Sequence, residues 1–370
     1  MKKLNFLHKI LIASITLSTA NFVLADDKKT ENNLNLDSLV IEKLPHLNAQ
    51  KKVSVAGLSS GGFMAVQYQI AYSKDISAAA IIAGGPYYCA ENNFRNAMGR
   101  CTLPKSESEV PSVEYQQKII KNFADKNLID DPKNLQDQRI WLFSSKNDKT
   151  VYLPVMQYLN NFYNSNIKPN NKTEFVISEK AGHAWITTMG KNACETHKVL
   201  PHINNCDDLD IAESYLKFFF PNQVSNDKDN PKYNTDLQNI KGRFIKFSQK
   251  DLQQKYNIQN AEMADEGFAF IPTKCESSES IKNVACSVHF VLHGCNQNLE
   301  ISGDKFIYQT GVWRYADKYN LIVVYPITKT SAKNPFGCWD WFGYTGENYA
   351  TKLAPQLQTF DAISKELQSK

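Results

Sequence analysis

The chain has 370 residues, of which 42% are hydrophobic and 22% charged, with a formal charge of +4. That balance excludes a disordered or fibrous protein and allows one large α/β domain or two smaller ones. The small net charge, with no basic stripe interleaved with aromatics, argues against a nucleic-acid partner.

Lys2 and Lys3 precede a mostly apolar stretch from Ile10 to Ala20, and Val23-Leu24-Ala25 offers small or tolerated residues where a signal peptidase cuts. Residues 1–25 are therefore expected to be a cleaved signal peptide and 26–51 a polar leader. Asn21 and the hydroxyl residues interrupt the apolar run well short of a bilayer span, so no membrane span is expected in the mature chain. Export, to the periplasm or the outside, agrees with an even set of eight cysteines. Eight cysteines allow 105 connectivities. Nearest-neighbour pairing suggests Cys89 with Cys101, Cys194 with Cys206, Cys275 with Cys286 and Cys295 with Cys338. None has C-x-x-C spacing, so a zinc site is disfavoured, and neither metal nor cofactor is expected.

The first strand spans Lys52 to Leu58 and runs into Gly57-Leu58-Ser59-Ser60-Gly61, followed by a helix from Gly62 to Tyr72. A strand, a sharp glycine-bounded turn and a helix, with serine at the apex, form a nucleophile elbow. Further strands are predicted at Ile76–Ala83, Arg139–Ser144 and Thr173–Ser178, with a helix over Val151–Tyr163 between the last two. Alternation of strands and helices implies a mostly parallel sheet. A helix follows over Leu209–Phe219, then a polar linker or long loop at about 222–239. Beyond it the pattern predicts a strand pair at Arg243–Phe247 and Gly267–Pro272, and a buried strand at Ser287–Leu292 ending in His293-Gly294-Cys295-Asn296-Gln297. A helix over Asp304–Tyr319, a strand at Leu321–Tyr325 and a closing helix over Leu353–Leu367 complete the chain.

A serine hydroxyl needs a base, and the base needs a carboxylate to hold its tautomer. Asp148 lies beyond the strand ending at Ser144, and His183 beyond the next, giving the Ser, Asp, His order of α/β-hydrolases. Asp148 could instead be an ordinary turn residue in Asn147-Asp148-Lys149, and His183 a structural histidine in a glycine-rich loop. Their register behind Ser59 favours the catalytic assignment. Oxyanion donors are expected from the N–H groups of Ser60 and of Cys295. Cys295 as a nucleophile is the weaker alternative in an exported chain with paired cysteines. The aromatic run Phe336-Gly337-Cys338-Trp339-Asp340-Trp341-Phe342 could line an acyl cleft or simply pack in the core, and Trp185 carries the same ambiguity.

In α/β-hydrolases the oxyanion strand precedes the elbow; here it follows. Joining the last helix to Lys51 restores the usual order, so residues 52–370 are expected to form a single circularly permuted α/β-hydrolase domain that acts as a monomer. With these residues assembled, the chain resembles the extracellular poly(3-hydroxybutyrate) depolymerase family, specifically its permuted, single-catalytic-domain branch. The resemblance rests on Gly57-Leu58-Ser59-Ser60-Gly61-Gly62, Gly182-His183-Ala184-Trp185, His293-Gly294-Cys295-Asn296-Gln297 and Gly337-Cys338-Trp339-Asp340-Trp341. It implies Ser59, Asp148 and His183 as the triad, Ser60 and Cys295 as oxyanion donors, and Trp339 or Trp341 as a wall of the substrate groove. No polymer-binding module is expected after Leu367, which leaves polymer, oligomers of 3-hydroxybutyrate and other short acyl esters open as substrates. Feruloyl or acetyl-xylan esterase and peptidase-like hydrolase remain alternatives, with an inactive exported binding protein behind them.

Overall fold

The computed structural model describes residues 36–166, 172–223, 231, 241–276 and 284–370. The expected signal peptide and most of the expected linker at about 222–239 lie outside the described residues. All described residues belong to one compact unit, Asn35–Lys370.

Among the described residues, runs buried on both sides form the central strands of a nine-stranded sheet in the order β1-β9-β10-β12-β11-β2-β3-β4-β5, whose edge strands β1 and β5 are more exposed. In chain order the first part supplies β1 (Ile41–Glu42), β2 (Val53–Leu58), α1 (Ser60–Ala71), β3 (Ile76–Ile82), α2 (Phe94–Met98), α3 (Val113–Asp125), β4 (Arg139–Ser145), α4 (Leu153–Asn166) and β5 (Thr173–Ser178). A small three-stranded sheet follows, from β6 (Trp185–Ile186), β7 (Asn192–Ala193) and β8 (Ile203–Asn205), and then α5 (Ile211–Phe219). The last part brings β9 (Gly242–Ser248), α6 (Gln249–Lys255), β10 (Glu266–Pro272), β11 (Ser287–Leu292), β12 (Leu321–Tyr325) and the C-terminal helix Pro355–Gln368.

The strands β12, β11, β2, β3, β4 and β5 run parallel, and β10 is antiparallel to both of its neighbours. Side chains alternate between the two faces with the period of a strand. In β4, Ile140 and Leu142 pack with Met64 and Tyr68 of α1, Leu159 of α4 and Phe360 of the C-terminal helix. Trp141 and Phe143 point the other way, into the buried cluster that also holds Phe219 of α5 and Trp313, with Trp141 against Tyr215 of α5. Helices thus cover both faces, as burial of a parallel sheet demands.

The permuted order has a physical seam. Leu367 carbonyl accepts from the N–H groups of Leu47 (3.1 Å) and Ala49 (3.0 Å), and Gln368 Nε2 donates to the carbonyls of Gln50 and Lys51. The end of the last helix is therefore hydrogen-bonded to the segment that enters β2, where the usual hydrolase order would carry the chain straight through.

One expected element is different. The helix predicted over Asp304–Tyr319 is broken into Lys305–Gln309, a 3-10 turn at Val312–Tyr315 and a further turn at Ala316–Tyr319. Gly311, at φ 67°, is the break. It adopts the left-handed region that a continuing helix cannot use. The helix over Val113–Asp125, capped by Ser112 onto the N–H of Tyr115, falls where no element was predicted.

His289 is fully buried between the Ser54 hydroxyl (2.8 Å from Nδ1) and the Tyr215 hydroxyl (3.0 Å from Nε2). Burial pushes its pKa down to about 3, and that of the equally buried His293 down to about 4. Both are neutral in the fold, whereas the unfolded chain protonates each below about pH 6.5. The stability they allow is therefore complete above that pH and is lost as pH falls toward 4. Each contributes a slope of up to about 1.4 kcal/mol per pH unit. Urea unfolding at pH 7, 6 and 5 is expected to show stability dropping steeply over this range. A flat profile would contradict the neutral assignment.

Candidate active site

The C-terminal ends of β2, β4, β5 and β11 carry Ser59, Asp148, His183 and the turn His293–Cys295, at the edge of the sheet where ligands gather in α/β folds. At the elbow the backbone leaves no room for side chains. A Cβ on Gly57 would lie 2.1 Å from the Gly61 carbonyl oxygen, and one on Gly61 would lie 2.3 Å from the carbonyl oxygen of Leu292. The start of α1 is thus pressed against the end of β11, which only glycine permits.

Between these glycines Ser59 takes φ 57° and ψ −121°, a conformation an L-residue holds only under constraint. It precedes α1 without using its side chain to cap that helix, and it stays partly exposed while its neighbours are buried. Its hydroxyl is accordingly presented rather than spent. The N–H of Ser60, in the first turn of α1, has no intrahelical acceptor and sits at the positive end of the helix dipole.

His183 Nδ1 lies 2.8 Å from Asp148 Oδ2. The other oxygen of Asp148 accepts from the N–H groups of Thr150 (2.7 Å) and Val151 (2.9 Å), which fixes the carboxylate in the turn that follows β4. Burial pushes the Asp148 pKa up, but the charge and hydrogen bond of His183 and these N–H donors outweigh it, holding the carboxyl below its ordinary range. An ionised carboxylate only accepts, so Nδ1 carries the proton and Nε2 is left as a base. The arrangement can take a proton from a hydroxyl and hold the resulting imidazolium.

The turn after β11 is fixed from several directions. A Cβ on Gly294 would stand 3.2 Å from Ser59 Cβ, so this turn abuts the elbow directly. His293 Nε2 accepts from the N–H of Thr328, which leaves Nδ1 protonated to donate to the Gly294 carbonyl at 2.7 Å. Asn296 N–H donates to the Phe336 carbonyl, Cys295 is bonded to Cys338, and Trp339 N–H donates to Ser60 Oγ at 3.3 Å. Cysteine pairing follows the nearest-neighbour expectation throughout: Cys89–Cys101, Cys194–Cys206, Cys275–Cys286 and Cys295–Cys338.

The aromatic candidates lie deeper than a groove wall requires. Trp339 is fully buried, packed against His293 and Phe360, and Trp185 is fully buried against Tyr215 and Phe306. Both occupy the core, filling space behind the site. Trp341 keeps 6% exposure and stacks on Phe63 of α1 with ring centroids 4.2 Å apart. It is buried as well, and Phe336, 58% exposed, is the ring of that run that stands at the surface.

Two residues near the site carried no assignment from the sequence. His202 lies close enough to His183 to feel its charge, and burial together with that charge lowers its pKa to about 4. Gln297 is buried and bonds the Gly294 N–H. Its position three residues after Gly294, in reach of the turn's backbone, was the signal available.

No protein-family model matches the chain. A poly(3-hydroxybutyrate) depolymerase from Delftia acidovorans is 35% identical over 340 residues, covering 91% of this chain and 62% of that protein; the chain thus spans less than two thirds of that relative. A polyhydroxybutyrate depolymerase from Talaromyces funiculosus is 31% identical over 325 residues, covering 82% of this chain and 86% of the relative. The crystal structure of PHB depolymerase from Penicillium funiculosum superposes with a TM-score of 0.75 at 26% identity, over 89% of this chain and 100% of that one. A PHB depolymerase variant complexed with an R3HB trimer gives a TM-score of 0.74 over the same shares, also at 26% identity.

The Cys295–Cys338 bond joins the turn beside Ser59 to the loop that bonds Ser60, whereas Cys275–Cys286 lies at the far end of β10. Cys338→Ser is expected to lower kcat on p-nitrophenyl butyrate on the order of a hundredfold, since misplacing one oxyanion donor costs about that much. Cys275→Ser should lower Tm and leave kcat nearly intact. Equal kcat in the two variants would contradict the coupling.

Proposed function

The chain belongs to the poly(3-hydroxybutyrate) depolymerase family, and from that premise we propose that it hydrolyses the ester bonds of poly- or oligo(3-hydroxybutyrate) through an acyl-enzyme. The relative described with an R3HB trimer supports an oligoester as substrate. The observation that carries the mechanism is the 2.8 Å pair between Asp148 and His183, which follows strands ending on the same edge of the sheet as the strand that leads into the strained elbow of Ser59.

Ser59 attacks the ester carbonyl as His183 Nε2 removes its proton. Asp148 keeps Nδ1–H in place and stabilises the imidazolium. Negative charge gathers on the carbonyl oxygen, and the N–H groups of Ser60 and Cys295 receive it. Collapse of this intermediate breaks the C–O bond, and His183 gives its proton to the departing alcohol. Water, deprotonated by the same imidazole, then attacks the acyl-Ser59 ester and releases the hydroxy acid. Trp341, stacked against Phe63 beside the elbow, is the aromatic proposed to contact the acyl chain.

Four disulfides support export of the mature chain, since such bonds persist in oxidising compartments. Cleavage after Ala25 completes that reading.

Purified mature protein is expected to release 3-hydroxybutyrate from its oligomers and to be labelled by a fluorophosphonate at Ser59. Ser59→Ala should abolish both. Asp148→Asn should lower kcat by roughly 10⁴, because the amide can stabilise the wrong tautomer of His183. Turnover retained by Ser59→Ala would overturn the proposal. Faster release from feruloyl sugars or peptides than from hydroxybutyrate oligomers would overturn the substrate.

A further inference from the structure

Gln297 is 1% exposed and bonded at both ends of its amide. Its Oε1 accepts the Gly294 N–H at 2.6 Å, and its Nε2 donates to the carbonyl of Pro201 at 2.6 Å, with the His202 carbonyl at 3.4 Å. The orientation of the amide is unambiguous: a backbone N–H can only donate and a backbone carbonyl can only accept.

At one end this amide fixes the turn beside the elbow. The Gly294 N–H is held by Gln297 and the Gly294 carbonyl by His293 Nδ1 at 2.7 Å. In a trans peptide the N–H points opposite the carbonyl of the same unit. The His293 bond to the Gly294 carbonyl therefore sets the direction of the Cys295 N–H in the same unit, and the Gln297 bond to the Gly294 N–H fixes the unit before it. The Gly294 N–H, already occupied, cannot compete for the same role. A Cβ at Gly294 would stand 2.9 Å from Gln297 Oε1 and 3.2 Å from Ser59 Cβ, so the Gln297 amide and the serine both crowd the face of Gly294 that a side chain would occupy.

At the other end the amide reaches the loop that carries the base. The His202 carbonyl accepts the N–H of Trp185 at 2.9 Å, and Trp185 stands two residues after His183. Gln297 is thus a strut between two loops that are more than 90 residues apart in sequence, a separation of 96 to Pro201.

We propose that Gln297 is a positioning residue that sets the oxyanion turn and the His183 loop at a fixed spacing, so that charge stabilisation at Cys295 and proton transfer at His183 converge on one reacting carbon. The proposal rests on the esterase reading above. A glutamine that merely satisfied two stray backbone groups would matter to stability and leave the chemistry alone.

Gln297→Met keeps the length of the side chain and removes both hydrogen bonds. Gln297→Glu keeps an acceptor for the Gly294 N–H and sets an oxygen against the Pro201 carbonyl. For each, kcat and KM on p-nitrophenyl butyrate would be measured well below its Tm, together with the inhibition constant of an alkylboronic acid, which forms a tetrahedral adduct on the serine. Gln297→Met is expected to lose about 10- to 100-fold in kcat, less than the full loss of an oxyanion donor. KM should stay within about twofold, as for an interaction made only in the transition state, and boronate affinity should fall in parallel with kcat. Gln297→Glu should lose less boronate affinity than Gln297→Met, because the Gly294 tie survives. Lowered Tm with kcat and boronate affinity intact would overturn the proposal, as would loss of kcat with unchanged boronate affinity in Gln297→Met. If Gln297→Met does not fold, the proposal stands or falls on Gln297→Glu, which must still lose kcat beyond its wild-type control. A wild-type chain with neither turnover nor boronate binding would instead overturn the esterase reading, independently of Gln297.

Discussion

The contact on which the site depends is a backbone contact, between the start of α1 and the end of β11. Carbonyl oxygens of Leu292 and His293 come within 2.3 and 2.5 Å of where a Gly61 side chain would begin. No side chain chooses this approach; the absence of one allows it. Because β11 and β2 are adjacent and parallel, with Leu292 opposite Gly57, the approach brings the turn after one strand against the turn after the other. The proposed nucleophile and the proposed second oxyanion donor are neighbours for that reason. Preorganised donors are effective when they need no reorganisation as charge develops, and a contact between two strand ends in a nine-stranded sheet supplies that rigidity.

The same sheet explains why the order of elements along the chain matters so little. The strands that end in the elbow and the two loops of the Asp148–His183 pair come from the first half, and the strand that ends in the proposed oxyanion turn comes from the second. Register between β11 and β2 is a property of side-chain alternation and ladder hydrogen bonds, neither of which records the order of synthesis. The hydrogen bonds from Leu47 and Ala49 to Leu367 close the seam by local contacts, leaving the sheet as it would be if the chain ran through. Close termini are what make a permutation of this kind tolerable.

Legibility in the sequence followed the range of the physics involved. Apolar runs such as Val53–Leu58, Ser287–Leu292 and Leu321–Tyr325 are strands because burial on both faces imposes a continuous hydrophobic stretch, and that constraint is local. The elbow is local in part: Gly57 answers a clash with the Gly61 carbonyl a few residues on, whereas Gly61 answers one with the carbonyls of Leu292 and His293 at the end of β11. The carboxylate and imidazole were found by their place after strands, and the 2.8 Å pair is the consequence of β4 and β5 being neighbours. The helix expected over Asp304–Tyr319 failed at Gly311, where a left-handed residue packs under the Arg314 side chain and tertiary packing overrides periodicity. The two tryptophans Trp185 and Trp339 illustrate the same limit from the other side. An indole beside a catalytic motif suits a groove or a core equally well by composition, and only the packing of Tyr215, Phe306, His293 and Phe360 around them decides for the core.

That burial has a further consequence for how the site is held. Trp339 fills the space between His293 and the C-terminal helix, while its own N–H is bonded to Ser60 Oγ. The side chain next to the proposed nucleophile is thereby tied to the loop bonded by Cys338 to the oxyanion turn. Aromatic area, a backbone hydrogen bond and a covalent link converge on the same few residues from three directions. The buried ring of Trp339 in this way supports the candidate site from beneath, because a closely packed interior transmits position where a flexible loop would not. Trp341 on Phe63 is buried in turn, and beyond it Phe342 meets the exposed ring of Phe94. The aromatic packing under the candidate site thus runs from the core through Phe63, Trp341 and Phe342 out to Phe94 at the surface.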